Sequence, residues 1–260
     1  MSRTIGTLTV LDLHLFCQEY GRGFLPYPFR FTKPIAYKYE DDVNRYRRGL
    51  IERLTSGEFD HLRRWLAVQM REAEIRVESM FVNAGEITAA FSATRWHELG
   101  FIANQDADDV ISVSQLSAYD IWSEIGNLAE LSGKPGSQPR VAIPSVRVHM
   151  RSPQPSSTDS TIIDEVKVVD QVPVIPFEQL VAGGEIHTDY RPPRGWRPDR
   201  TKEFVGWVTT TDGDYVVQAP YEYATPVTRK QLIDKIDRLI ADDAAQIREL
   251  RADQDSVNGA

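Results

Sequence analysis

Hydrophobic and polar residues alternate strictly from Glu74 to Phe81, which is typical of a β-strand with one face toward a core. The alternation returns in three further segments, at 87–91, 99–103 and 110–113. Turn-forming residues separate these segments, so the pattern predicts an antiparallel sheet with one wet face. The side chains predicted to face water in the first strand are Glu74, Arg76 and Glu78. Such a face carries no chemistry, which favours a protein that binds other proteins.

Helical spacing of the apolar residues predicts four helices around this sheet. They cover about residues 9–20, 40–54, 59–70 and 117–129. Two of them begin with a capping-box pattern, at Thr9–Asp12 and at Ser117–Asp120. A Gly/Pro turn then leads to a fifth apolar strand at Val141–Pro144.

The second half repeats the order of a hairpin followed by an amphipathic helix. Alternating segments at 203–210 and 215–219 flank Asp212-Gly213, which predicts a β-hairpin because both turn residues accept positive φ. Thr225-Pro226 is predicted to begin the last helix, with proline at its first position. A short helix at 176–180 is predicted to end at the Gly-Gly pair that follows.

The chain is predicted to be a single domain of two pseudo-repeated halves. The halves cover about 1–149 and 162–251, a Pro/Ser-rich seam at 150–161 joins them, and residues 252–260 are expected to fray. The similarity between the halves is one of architecture rather than of sequence.

Composition limits the kinds of ligand that the protein is expected to bind and the cellular compartment in which it is expected to act. A net charge of -8 and a pI near 5.2 argue against nucleic acid as a ligand, because phosphate binding needs a basic face. The single cysteine, Cys17, permits neither an internal disulfide nor a Cys-based metal site. The first residues lack the pattern of a signal peptide, and no apolar run is long enough for membrane insertion. We therefore expect a cytoplasmic protein.

Motifs that carry chemistry are missing from the sequence. The five histidines lack metal-ligand spacing, and no Walker, Rossmann or Gly-x-Ser-x-Gly pattern occurs. We therefore expect no cofactor and no enzymatic activity. One enzyme hypothesis stays open, in which the carboxylates of the Asp106–Asp109 turn hold a metal.

Six groups of residues are similar to a known family in their order and local sequence. These are Thr9–Leu15 with Phe24-Leu-Pro26, Gly49–Ile51 with Phe59–Leu66, Ile75–Val77, Phe101–Asp106, Lys134–Pro144, and Gly206–Val208 with Asp212–Val216. Together they resemble the EspG family, the actinobacterial type VII (ESX) secretion-associated chaperones. The chain departs from the family at 150–175, where proline, serine and β-branched residues stand in place of helix.

The resemblance implies a quasi-two-fold α+β fold, with a central antiparallel sheet and two α-helical bundles. It also implies that the protein binds, in the cytosol, the apolar helical tip of a PPE protein within a PE–PPE heterodimer. The chaperone would keep the pair soluble and present it to ESX secretion components, without nucleotide or metal. An adaptor for another helical secreted client remains the alternative, and monomer and homodimer both stay open.

The resemblance points to the second-half sheet and helices for partner binding, and aromatic residues cluster there in the sequence. Exposed aromatics are common anchors of interfaces, but packing against the last helix would explain the same residues. The candidate partner-binding residues are Trp207, Thr209, Tyr215, Val217, Tyr221, Tyr223, Arg229, Lys230 and Lys235.

Overall fold

The computed structural model describes residues 2–35, 37, 39–83, 86–142, 172–190, 202–217 and 223–258. The strands are β1 (Arg3–Thr9), β2 (Ile75–Asn83), β3 (Glu86–Trp96), β4 (Leu99–Gln105), β5 (Val110–Ser117), β6 (Leu180–Tyr190), β7 (Phe204–Thr210), β8 (Asp214–Val217) and β9 (Ala224–Pro226). The helices are α1 (Val10–Glu19), α2 (Glu40–Thr55), α3 (Asp60–Ala67), α4 (Ile121–Leu128) and α5 (Arg229–Asn258). A π-helical turn, Val68–Glu72, follows α3.

All nine strands form one antiparallel sheet in the order β1-β5-β4-β3-β2-β6-β7-β8-β9. At its centre β2 pairs with β6, where Ser79 lies opposite Ile186. Each of these two strands is followed by three more strands that step outward and then by a helix, α4 or α5. The chain therefore has a local two-fold axis between β2 and β6. The predicted α+β class and quasi-two-fold arrangement are confirmed.

Helices cover both faces of the sheet. Successive residues of β4 show this, because Phe101 and Ala103 belong to the core under α1–α3 while Ile102 belongs to the core under α4 and α5. The first core is filled mainly by Leu13, Phe16, Leu62, Trp65 and Met70. The second contains Ile75, Val77, Ile186 and Trp207 from the sheet and Ile125, Leu232 and Ile236 from the helices. Since α4 and α5 come from different halves, the second core joins the halves.

The capping box at the start of α1 is confirmed. The Thr9 hydroxyl accepts the Asp12 N–H and the Asp12 carboxylate accepts the Thr9 N–H, both at 3.0 Å. The other oxygen of Asp12 accepts the Tyr46 hydroxyl at 2.7 Å, which ties α2 to α1. Burial, followed by this hydrogen bond, raises the pKa of Tyr46 to about 12. The second predicted box differs, since Ser117 accepts the Tyr119 N–H and caps a 3-10 turn before α4.

Two predicted boundaries in the second half are wrong. Thr225-Pro226 lies in β9, and α5 begins later with a box between Thr228 and Gln231, in which each backbone N–H binds the other side chain. The Gly183-Gly184 pair ends no helix. It lies inside β6, where a Cβ on Gly184 would stand 2.4 Å from the Trp207 ring, so glycine is needed for close packing.

Strand β1 and the wet face of the sheet also differ from the prediction. β1 was not predicted, because its polar threonines give no clear alternation. Arg76 and Glu78 were predicted to face water but are only 3% and 4% exposed. Exposed polar residues lie instead on the α4/α5 side of β1 and β5, at Thr7 and Ser112. The face that the alternation marks as polar is covered by elements that precede β2, among them the π-helical turn after α3, whose Gln69 carbonyl accepts from Arg76.

Two further features concern the described helices. Cys17 is fully buried in α1, and burial raises the pKa of its thiol to about 12. Among the described helices, none is both long and apolar enough to cross a membrane.

The strand predicted at Val141–Pro144 is described only in its first two residues, where Val141 bridges to Ala224 and Ala142 bridges to Val174. Residues 143 and 144 and the seam predicted at 150–161 lie outside the described residues. The single-domain assignment stays a prediction.

The packing of α4 on α5 is tested by two glycines in helices. A Cβ on Gly126 would lie 2.2 Å from Cγ1 of Ile233, whereas a Cβ on Gly49 in α2 would meet nothing within 4 Å. We expect Gly126→Ala to lower the free energy of unfolding by about 1–3 kcal/mol through overpacking. Gly49→Ala should raise it by about 0.5–1 kcal/mol through helix propensity. Urea unfolding measures both, and equal effects would contradict the close approach.

Candidate functional site

Four of the candidate partner-binding residues have buried side chains. Trp207 is 2% exposed and packs edge-on against Phe81, with the ring centroids 5.1 Å apart. Tyr215 lies in a small core on the opposite face, against Val141 and Ile175. Thr209 and Val217 are buried as well. These side chains stabilise the hairpin from inside, and their role in partner binding stays a prediction.

The tip of the predicted hairpin is covered by the segment that follows α4. The Asp214 carboxylate accepts the backbone N–H groups of Ser132 and Gly133, each at 2.9 Å. Asp212 accepts the backbone N–H and the hydroxyl of Ser137 at 2.9 and 2.7 Å. Gly213 has φ of +147°, and a Cβ there would lie 2.7 Å from the carbonyl oxygen of Lys134. Residues 132–138 therefore occupy the hairpin surface that the sequence assigned to a partner.

The charge of Asp212 is stabilised by these contacts. The Tyr215 hydroxyl donates to its carboxylate, and together with the donors of Ser137 it lowers the pKa of Asp212 to about 2. Desolvation and the same hydrogen bond raise the pKa of Tyr215. Asp212 is thus ionised wherever the protein is handled near neutral pH, and it holds the covering segment as an anion.

Tyr223 and its neighbours form the more accessible part of the candidate site. The Arg140 guanidinium lies 3.5 Å from the centroid of the Tyr223 ring, and Tyr223 is partly exposed. Val174 is 58% exposed and bridges to Ala142, beside the bridge between Val141 and Ala224 of β9. We call Arg140, Val174 and Tyr223 the β9-edge surface, and Lys230 in the first turn of α5 is exposed. Tyr221 lies outside the described residues.

Arg229 has a structural partner in its own chain. Its Nη1 donates to the carbonyl oxygens of Gly126 at 2.6 Å and Ala129 at 3.2 Å. A cation at the C-terminal end of α4 satisfies carbonyls that the helix leaves unpaired and opposes the negative end of its dipole. Lys230 is exposed and Lys235 is partly exposed. Of the three basic candidates, Arg229 is thus part of the α4–α5 contact.

A cluster of charged residues lies buried at the centre of the sheet, where the sequence predicted a wet face. Glu78 of β2 stands opposite His187 of β6, and its carboxylate is 3.8 Å from the Arg76 guanidinium. Arg76 also donates to the carbonyl of Gln69 at 2.8 Å. His187 Nε2 lies 3.4 Å from Glu185, whose carboxylate accepts the Tyr27 hydroxyl at 3.3 Å.

Burial dominates the electrostatics of Glu78. Desolvation raises its pKa to about 8, and Asp189 adds to that rise, although nearby Arg76 lowers it. Burial likewise lowers the pKa of Arg76. A buried carboxyl with so little hydrogen bonding is costly when ionised. The cluster thus places a proton-binding group at the junction of the two half-sheets. Alternation alone could not reveal it, since charged positions normally mark water.

The aspartates of the β4–β5 turn stabilise their own loop. Asp109, at φ 59°, accepts the backbone N–H groups of Thr32 and Lys33 at 3.1 and 3.2 Å. Asp106 accepts the N–H groups of Asp108 and Val110, both at 2.9 Å. In the part of the chain that the structure describes, no three histidines, cysteines or carboxylates are grouped as metal ligands. The turn therefore has a structural explanation that requires no metal.

Comparisons with known proteins give a distant structural similarity. No family model matches the sequence, and no curated protein matches it. Among solved structures, the chain is similar to EspG5 of Mycobacterium tuberculosis, a type VII secretion system chaperone solved in complex with the PE25-PPE41 dimer. The match has 9% identity and a TM-score of 0.42, and it covers 92% of this chain and 96% of that chain. At this TM-score the similarity carries no argument about what this chain binds.

Glu78 predicts an unusual dependence of stability on pH. Between the ordinary pKa of 4.5 and about 8, the folded protein holds a proton that the unfolded chain releases. The free energy of unfolding should therefore fall as pH rises through this window. Glu78→Gln removes the titration, so the variant should show a flatter profile and exceed the parent in stability at the alkaline end. Urea unfolding at a series of pH values measures this.

The control for Glu78 is Glu52→Gln, at an exposed position of α2. This variant should keep the parent's slope. A Glu78→Gln profile that runs parallel to the parent's from acid to alkaline pH would show that the buried carboxyl stays ionised.

Arg229 provides a second prediction. Arg229→Ala removes the charged donor from the end of α4 and should lower the free energy of unfolding by about 1–2 kcal/mol. The adjacent Lys230→Ala changes an exposed position and should stay within about 0.5 kcal/mol of the parent. Thermal and urea unfolding compare the two. If both alanine variants were equally stable, the guanidinium would contribute nothing to the α4–α5 contact.

Proposed function

We propose that the chain is a chaperone of the EspG type, which binds the apolar helical tip of a PPE protein within a PE–PPE heterodimer. It would act in the cytosol, keep the pair soluble and present it to an ESX secretion system. The observation that carries the proposal is agreement between two independent features. The order of sequence segments resembles the EspG family, and the fold that this resemblance implies is the fold the chain has.

In the fold, the segments that resemble the family form the β7–β8 hairpin, the segment that covers it and the start of the central strand β2. Gly206–Val208 and Asp212–Val216 form the β7–β8 hairpin, and Lys134 to Gly136 is the segment that covers it. Ile75–Val77 opens β2, the strand that joins the half-sheets. Segments with only a chance similarity to a family would not be expected to contact one another in the fold. Their contacts support the resemblance as one of architecture.

The β9-edge surface is the partner-binding surface in this proposal. A helical tip satisfies its own backbone hydrogen bonds, so it needs an apolar and aromatic surface rather than a strand edge. Val174 supplies exposed apolar area, and Tyr223 supplies an aromatic ring held by Arg140. Lys230 adds a polar rim of the kind that surrounds interface anchors. Tyr215, buried with Val141 and Ala224, would support this surface from beneath, whereas Trp207 lies in the core on the other face of the sheet.

Co-expression with a cognate PE–PPE pair tests the function. We expect a stable complex of all three chains that survives affinity purification and gel filtration. Recovery of only the free chain with every neighbouring pair would overturn the chaperone function.

Two matched valines test the surface. Val174→Asp should weaken the complex by about tenfold or more, because it places an unpaired charge in an apolar contact. Val181 is also exposed, at 42%, but lies in a bulge at the start of β6, and Val181→Asp should leave the affinity unchanged. Titration calorimetry gives both affinities, and circular dichroism checks that both variants fold. A loss with Val181→Asp alone would place the surface elsewhere while leaving the chaperone function intact.

A further inference from the structure

The two edges of the sheet are protected to very different degrees. β9 has only three residues and ends in Pro226, and Ala224 exchanges two backbone hydrogen bonds with Val141 at 3.0 and 2.8 Å. Short strands, proline and a covering segment are the devices that keep an edge from pairing with another chain. The β9 edge thus has all three.

β1 at the opposite edge has far less protection. It is seven residues long, and among the described residues it pairs with β5 alone. From Thr4 to Thr9 it contains no charge and no proline, and Thr7 is exposed. A bulge between Thr4 and Gly6 interrupts the strand, and the His61 ring of α3 packs so closely on Gly6 that a Cβ there would lie 2.4 Å from it. In the part of the sheet that the structure describes, no strand pairs with the outer edge of Gly6–Thr9.

Charge along this edge favours a second copy as that strand. β1 begins with the exposed cation Arg3, and it ends where Thr9 lies opposite Val110, beside the acidic turn Asp106–Asp109. In an antiparallel pair of two β1 strands, the Arg3 end of one copy lies level with the Thr9 end of the other. Since strands are spaced about 4.8 Å apart, Arg3 would then stand about 10 Å from the partner's turn, within reach of a long side chain.

We propose that β1 is a homodimer surface, in which two copies pair their β1 strands antiparallel about a two-fold axis near Gly6 and form one continuous sheet. The same residues meet on both sides, as a two-fold interface requires. The regular part of the edge is short, so the dimer is a concentration-dependent equilibrium rather than a permanent assembly. The proposal is independent of the chaperone function, because the β9-edge surface lies at the other end of the sheet.

Sedimentation velocity over a range of protein concentrations tests the dimer. The parent should shift from monomer to dimer as concentration rises. Thr7→Lys places a like charge on each edge and should raise the dimer dissociation constant by about tenfold or more. Ser112→Lys makes the same change on the same face one strand further in, opposite Thr7, and should leave the equilibrium unchanged. Cys17 is buried, so disulfide exchange does not confuse the measurement.

A charge-reversal pair and hydrogen exchange complete the test. Arg3→Glu should weaken the dimer, and adding Asp108→Lys should restore it, because Asp108 carries the opposite charge and its side chain is 77% exposed although it pairs with Lys33 of its own chain. Amides of β1 should exchange more slowly as protein concentration rises, while those of β9 should not change. A monomer at every concentration, a dimer indifferent to Thr7→Lys, or β1 amide exchange that does not change with concentration would each overturn the proposal.

Discussion

The antiparallel pairing of β2 with β6 is the contact on which the rest of the structure depends. It is the pairing that joins the first-half strands to the second-half strands in the described sheet, and it extends from Ile75–Tyr190 to Asn83–Ala182. Its α4/α5 face carries Val77 and Ile186, which the two helices cover. Neither half could cover this face alone, because one covering helix comes from each half. The second core and the sheet junction are therefore formed together.

The other face of the same junction is polar and buried, so charged groups lose their hydration there, which costs folding free energy. Glu78 and His187 face each other there, beside Arg76. Replacing such a cluster by apolar residues often stabilises a protein, so buried charges seldom contribute net stability. Here they make the strand junction sensitive to protonation, while the apolar face supplies the stabilisation. The connector residue Tyr27 bonds to Glu185 and so links the segment between α1 and α2 to this face.

The sequence predicted the local elements well and the surfaces poorly, for one physical reason. Periodicity and capping are local, so the hairpin at Asp212-Gly213 and the box at Thr9 were identified correctly. Burial is set by elements that are distant in the chain. Trp207 and Tyr215 show this, because they lie beneath partners at Phe81 and Val141. Arg76 is buried by a nearer element, the turn at Gln69 seven residues earlier, which the polar period of its strand does not report. The segment at 132–138 likewise covers the hairpin because Asp212 and Asp214 accept hydrogen bonds from its backbone. No local sequence pattern predicts this contact.

The two ends of the sheet differ in the kind of contact that they offer. At the β9 end the backbone is already satisfied by Val141, so only side chains such as Val174 and Tyr223 remain for contact. A helix, whose own backbone is paired, suits that end. At the β1 end no described strand pairs with the outer edge of the backbone, and the side chains are mostly small and polar, such as Thr7. A strand, which needs backbone partners, suits that end. The proposed helical client and the proposed second copy would therefore contact opposite ends of the sheet without competing.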